Sequence, residues 1–346
     1  MFYEFQGNSF AQARGKILAQ VDINHLDTIG KNIFTNDAAY KNALTFLQKR
    51  PLYPLLSVLF NLVFHNETIA FLFPIYLAFL GSIILCYIFC QKSLGVFGAI
   101  LVSAALVNFY PFIDWSTYFL TDTLGLFFWL LQLFFLYEFL LNRKGNWLLW
   151  FLTTMVLSLY NREQSILFVF ILVIVYFLSK LFNLSISKIR SKRVLLFVIA
   201  VTLIYIGVSA ITKQKNLLDS LHYLQNDYGL TNHVYTLPQT FIYLAAHILS
   251  SHRALIVDLT HHHVWAVSIF LSIVGIMQMF VIKRNPKIAD ILMLGSGLAS
   301  YLSIFLFPVL SYRFFYPVVI AIAYFGVYVV LDYYQLLVNE HPKNHE

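Results

Sequence analysis

Nine apolar runs constrain this chain more than any single residue does. They are Ile69 to Phe89, Leu94 to Ile113, Phe119 to Leu141, Trp147 to Tyr160, Ser165 to Phe182, Val194 to Ile211, Val264 to Ile282, Ile288 to Leu310 and Phe314 to Leu337. Most approach the roughly 20 apolar residues that a bilayer-crossing helix needs, and the Trp147 run is the shortest. Of 346 residues 60% are hydrophobic and 11% charged, a balance no soluble globular domain has. Backbone polar groups in lipid must be satisfied within a segment. The chain is therefore predicted to be an all-α, polytopic integral membrane protein of about nine transmembrane helices, with interfacial helices in its outer loops.

The net charge of +7 would suggest a nucleic-acid partner in a soluble protein. Here Lys92, then Arg143 and Lys144, then Lys188, Arg190, Lys192 and Arg193, then Lys283, Arg284 and Lys287 fall in alternate short loops, where basic charge sets orientation. No nucleic-acid partner is expected. Those loops are assigned to the cytoplasm, and the connections Phe112 to Tyr118, Tyr160 to Gln164, Thr212 to His263 and Val309 to Tyr312 to the outer face. Four regions follow: an outer-face segment 1–68, a helix bundle 69–211, a long outer loop 212–263, and C-terminal helices with a short tail 264–346. A loop that long in a compact bundle is usually functional, and Pro238 with Gln239 to Leu249 reads as a surface helix inside it. Cys86 and Cys90, four apart in one apolar run, are expected to be buried thiols.

From Asp37, the residues Tyr40, Ala43, Leu44 and Leu47 recur at helical spacing against Lys41, Asn42, Thr45, Gln48 and Lys49, which predicts a short surface helix that Pro51 and Pro54 stop. The run Leu52 to Phe64 is too short to span and is expected to lie in the interface or dip part-way into the bilayer. Ionisable groups at membrane helices are costly and mark functional sites by default. Asp37, Asp114, Asp122, Arg162, Glu163 and Arg313 all map to the outer face from separate parts of the chain. Each has a plain structural alternative: Asp37 and Asp122 as helix caps, Arg162 and Glu163 as a local ion pair, Arg313 snorkelling to headgroups. Gathered on one side, they could handle both a phosphate and a nucleophile's proton. Seven histidines crowd the long loop, yet the consecutive His261, His262 and His263 diverge where zinc ligands must converge.

Five stretches resemble the GT-C glycosyltransferases that use polyprenyl-phosphate sugars, including the protein O-mannosyltransferase and aminoarabinose transferase relatives. They are Asp37-Ala38-Ala39-Tyr40-Lys41-Asn42-Ala43, Arg50-Pro51-Leu52-Tyr53-Pro54-Leu55-Leu56, Thr121-Asp122, Tyr160-Asn161-Arg162-Glu163 and Tyr312-Arg313-Phe314-Phe315-Tyr316-Pro317. The resemblance implies a membrane enzyme that moves a hexosyl or pentosyl group from a polyprenyl-phosphate donor to a glycan, lipid or protein acceptor, with inversion. It places the catalytic base on Asp37; Ala38 stands where the family often has a second acid. It also implies substrate contacts from Tyr40, Asp114, Asp122, Arg162, Glu163 and Arg313, and no required metal or other cofactor. The family begins with a transmembrane helix ahead of the acid-bearing loop, and residues 1–49 carry no such apolar segment. The expected location is a plasma membrane, a bacterial inner membrane over an endoplasmic reticulum, with a non-cytoplasmic active site. A transporter or flippase of a lipid-linked or anionic substrate, or a non-catalytic relative, is the alternative; against a transporter, no repeat with broken helices is visible.

Overall fold

The computed structural model describes residues 2–47, 50–117, 121–142, 146–184, 188–212, 214, 217–226, 233–261, 263–306 and 315–340. Among these every regular element is helical. The N-terminal segment holds α1 (Phe2–Phe5), α2 (Phe10–Leu18), α3 (Thr28–Thr35), α4 (Asp37–Leu47) and α5 (Leu52–Phe64). The bundle follows with α6 (Glu67–Val107), α7 (Tyr110–Trp115), α8 (Asp122–Leu141), α9 (Trp147–Asn161), α10 (Phe168–Leu181) and α11 (Lys188–Ile211). Then come α12 (Leu217–Gln225), α13 (Leu237–His261), α14 (His263–Ile276), α15 (Ile288–Leu306) and α16 (Tyr316–Glu340). Seven helical stretches among the described residues are long and apolar enough to cross a membrane, and α5, α9 and α15 contribute shorter apolar ones. The all-α polytopic expectation holds.

Two of the expected runs merge into α6. Gly95 inside it has φ 73° and ψ −177°, a conformation open to glycine and costly for other residues. The break turns the chain back, so that the Phe112 ring stacks on Phe79 with centroids 4.7 Å apart. Leu94 to Ile113 is therefore a returning leg built from the end of α6 and from α7, not one uninterrupted helix. α4 ends before Pro51 and Pro54, and Pro54 lies in the first turn of α5, where its missing N–H removes no hydrogen bond.

The core is aromatic and aliphatic. Trp129 of α8, fully buried, meets Phe168 of α10 at 4.8 Å, and Phe168 meets Phe151 of α9 at 5.8 Å. α14 and α16 approach so closely at Gly275 that an added Cβ would run into the Phe325 carbonyl oxygen. Small residues permit such close helix crossings in a membrane bundle.

Ionisable groups collect at the two ends. At one end Lys92 pairs with Glu138 at 3.1 Å, Lys283 with Asp332, and Lys287 Nζ donates to the Ser93 carbonyl at 3.1 Å. These lysines come from the loops that the sequence assigns to the cytoplasm. The other end carries Arg162, and the N-terminal segment is docked there. Phe2, Tyr3 and Ala13 form a small core with Val58 of α5 and Phe71 of α6, and the Tyr3 hydroxyl donates to Glu67 at 2.7 Å.

α13 is longer than the expected Gln239 to Leu249, and each half has a partner on another element. His222 of α12 bonds Thr240 at 3.2 Å, and His252 bonds the Tyr301 hydroxyl, whose ring lies beside Phe315. Phe315 adjoins Tyr316, which donates to the Pro111 carbonyl at 3.1 Å, so the second half of α13 packs at this end.

Candidate functional site at the Arg162 turn

The site is a short turn between α9 and the 3₁₀ segment Glu163–Leu167. α9 stops because Arg162 takes an extended conformation, φ −163° and ψ 133°. That change throws the Arg162 side chain across to the start of α8, where it pairs with Asp122. Both side chains are largely withdrawn from solvent, at 12% and 6% exposed, so the pair is a buried one. Asn161, fully buried, donates from Nδ2 to the Thr121 carbonyl at 3.2 Å and ties the same two helix ends together. The Tyr205 hydroxyl of α11 donates to Glu163 Oε1 at 3.1 Å. Gly125, one turn into α8, leaves ordinary contact room beside the Arg162 and Asn161 side chains.

Arg50 completes the cluster from the segment that leads into α5. Its Nε is buried and makes no hydrogen bond among the described residues. Burial pushes its guanidinium below the ordinary arginine range, and the neighbouring Arg162 adds to that, while Glu163, Asp122 and Tyr205 pull it back up. Arginine stays charged through such shifts. Two guanidinium groups thus lie within electrostatic reach of each other and of two carboxylates, and one of them has an unused, dehydrated donor. The arrangement suits a phosphate or carboxylate ligand, which guanidinium groups bind with charge-assisted hydrogen bonds.

Asp37 sits elsewhere on the same end of the molecule. It opens α4, but Asn36 is the cap, its Oδ1 accepting from Ala38 at 2.9 Å and Ala39 at 3.2 Å. Asp37 instead pairs with Arg14 of α2, and its side chain is 74% exposed. Arg14 also donates to the Phe34 carbonyl at 3.3 Å and lies 5.2 Å over the Tyr40 ring. Burial raises the Tyr40 phenol above its ordinary range, so it is neutral at physiological pH. Asp114, at the end of α7, is 3.4 Å from the Tyr110 hydroxyl. The structure brings together Asp122, Arg162 and Glu163 of the expected residues; Asp37 and Tyr40 form a second group around Arg14, and Arg313 lies outside the described residues. No group of three His, Cys, Asp or Glu side chains among the described residues is placed to hold a metal ion.

Arg50, Asn161 and Tyr205 have no assigned role in the sequence reading. An arginine between a surface helix and an apolar run was a usable signal for the first. A tyrosine in a spanning run reads as packing, and only the fold puts it against Glu163.

No curated protein and no solved structure matches the chain. Residues 48–218, just under half of the chain and the stretch that supplies Arg50, Asp122, Asn161, Arg162, Glu163 and Tyr205, match the family model described as dolichyl-phosphate-mannose-protein mannosyltransferase, which supports a membrane glycosyltransferase of the GT-C superfamily.

Proposed function

We propose that this protein transfers a sugar from a polyprenyl-phosphate donor to an acceptor at the non-cytoplasmic face of its membrane, with inversion at the anomeric carbon. The observation that carries the reading is the adjacency of Arg50 and Arg162 within the matched stretch, with the buried Nε of Arg50 unused. A monophosphate leaving group gains negative charge as the glycosidic C–O bond breaks. Fixed guanidinium groups in a partly dry site stabilise that charge more than water does.

In this reading the acceptor hydroxyl or amine attacks the anomeric carbon from the face opposite the phosphate. The new bond forms as the bond to the phosphate oxygen breaks, and the electron pair leaves with the phosphate. The acceptor's proton passes to Asp37, whose exposed carboxylate Arg14 holds in place. Asp122 orients Arg162, Glu163 and Tyr205 brace the same turn, and Arg313 is a further candidate for the phosphate. Tyr40 and Asp114 line the approach of donor and acceptor.

The test is transfer from a radiolabelled polyprenyl-phosphate sugar in membranes holding equal amounts of the wild-type chain and Asp37→Asn. General-base catalysis contributes typically about 10²- to 10⁴-fold, and a loss of that size with donor binding preserved is expected. Equal transfer by the two chains overturns the role of Asp37. No transfer by the wild type overturns the glycosyltransferase reading.

A further inference from the structure

Gln132 lies in the middle of α8, fully buried in a membrane-crossing helix that is otherwise almost entirely apolar. Its Nε2 donates to Ser165 Oγ at 3.0 Å, and Ser165 donates in turn to Ser158 Oγ at 2.6 Å. Both serines are buried. Ser158 and Ser165 flank the turn that carries Asn161, Arg162 and Glu163, and the Ser158 carbonyl accepts the Arg162 backbone N–H. The turn is therefore held from two sides, by Asn161 on Thr121 and by the Gln132, Ser165 and Ser158 chain beneath it. Gln132 Oε1 is buried with no hydrogen-bond partner among the described residues. A fully apolar side chain would avoid that cost, so an amide kept here calls for a role beyond packing.

We propose that Gln132 is a positioning residue for Arg162, acting through Ser165 and Ser158 to fix the backbone from which the guanidinium reaches Asp122. The consequence for sugar transfer rests on the function proposed above; the geometric part does not. Hydrogen bonds between membrane helices contribute little to global stability, because the separated helices find other partners. A misplaced charge at a reacting centre, by contrast, reduces rate steeply.

The experiment compares the full-length wild type with Gln132→Met, close in volume, and with Ser165→Ala, each reconstituted in nanodiscs. Two quantities are read: kcat and KM for sugar transfer, and the rate at which phenylglyoxal modifies Arg162, followed by peptide mass spectrometry. The same substitutions are made in an Arg162→Ala background. Expected are unchanged thermal unfolding, a fall in kcat/KM of up to about 10²-fold, several-fold faster modification of Arg162, and no additional loss of transfer once Arg162 is absent. Unchanged modification in both variants overturns the proposal even if the wild type transfers sugar. An equal further loss in the Arg162→Ala background also overturns it. Faster modification of Arg162 with a wild type that transfers nothing upholds the positioning role and removes the glycosyltransferase reading.

Discussion

The ion pair between Asp122 and Arg162 is the residue whose environment decides most. A buried pair gains little net stability over an apolar pair of similar volume, but removal of one partner strands the other charge. Arg162→Met removes the ion-pair partner of the buried Asp122 carboxylate and is expected to cost about 3–5 kcal/mol, whereas Asp122→Asn combined with Arg162→Met recovers most of it. Thermal unfolding of the wild type and the two variants in one detergent checks this, and equal midpoints for the single and double variants would contradict it. The pair was half legible in the sequence. Membrane cost marked Asp122 and Arg162 as unusual, yet a separation of forty positions hides their contact, and the local alternatives of a cap and an Arg162–Glu163 pair fit the sequence as well.

At the scale of elements, the hairpin at Gly95 sets where the later helices stand. The Phe79 and Phe112 stack, the Lys287 bond to the Ser93 carbonyl and the Asp290 contacts to Ser93 and Tyr324 all depend on that reversal. Gly95→Ala places a Cβ on a conformation that suits glycine almost alone, at a cost of about 1–3 kcal/mol. It is expected to lower the unfolding midpoint without changing the order of the helices, and a midpoint equal to the wild type would show that the backbone relaxes. The apolar runs gave the helices their type and rough bounds, though seven of the described stretches are long enough to cross where nine runs were expected. The two runs on either side of the basic loop at Lys92 already imply a reversal; what hydropathy has no term for is that a single residue, Gly95, makes it.

The whole molecule sorts its charges by end. Lysines from alternate loops meet at one end, while Arg14, Arg50 and Arg162 with their carboxylates occupy the other, where the second half of α13 also packs. Cys86 and Cys90 are buried, so cysteines introduced at exposed sites report sidedness against little background. Thr35→Cys and Val234→Cys are expected to react with a membrane-impermeant maleimide in intact cells, and Arg284→Cys only after permeabilisation. The reverse pattern would place the Arg162 site in the cytoplasm.

The sequence by itself determined what depends on local composition. Apolar run lengths specify spanning helices, and the Asp37 helix and the short α5 follow from spacing along a few turns; the sidedness that the basic loops imply awaits the labelling experiment. Tertiary structure alone decided what depends on distance through space: the pairing of Asp122 with Arg162, the arrival of Arg50 and Tyr205 beside them, the separate pairing of Asp37 with Arg14, and the support of the site by Gln132. The reason is physical. Transfer into lipid is summed over neighbours in sequence, whereas a buried charge is stabilised by whichever partner the packed helices deliver within a few ångströms.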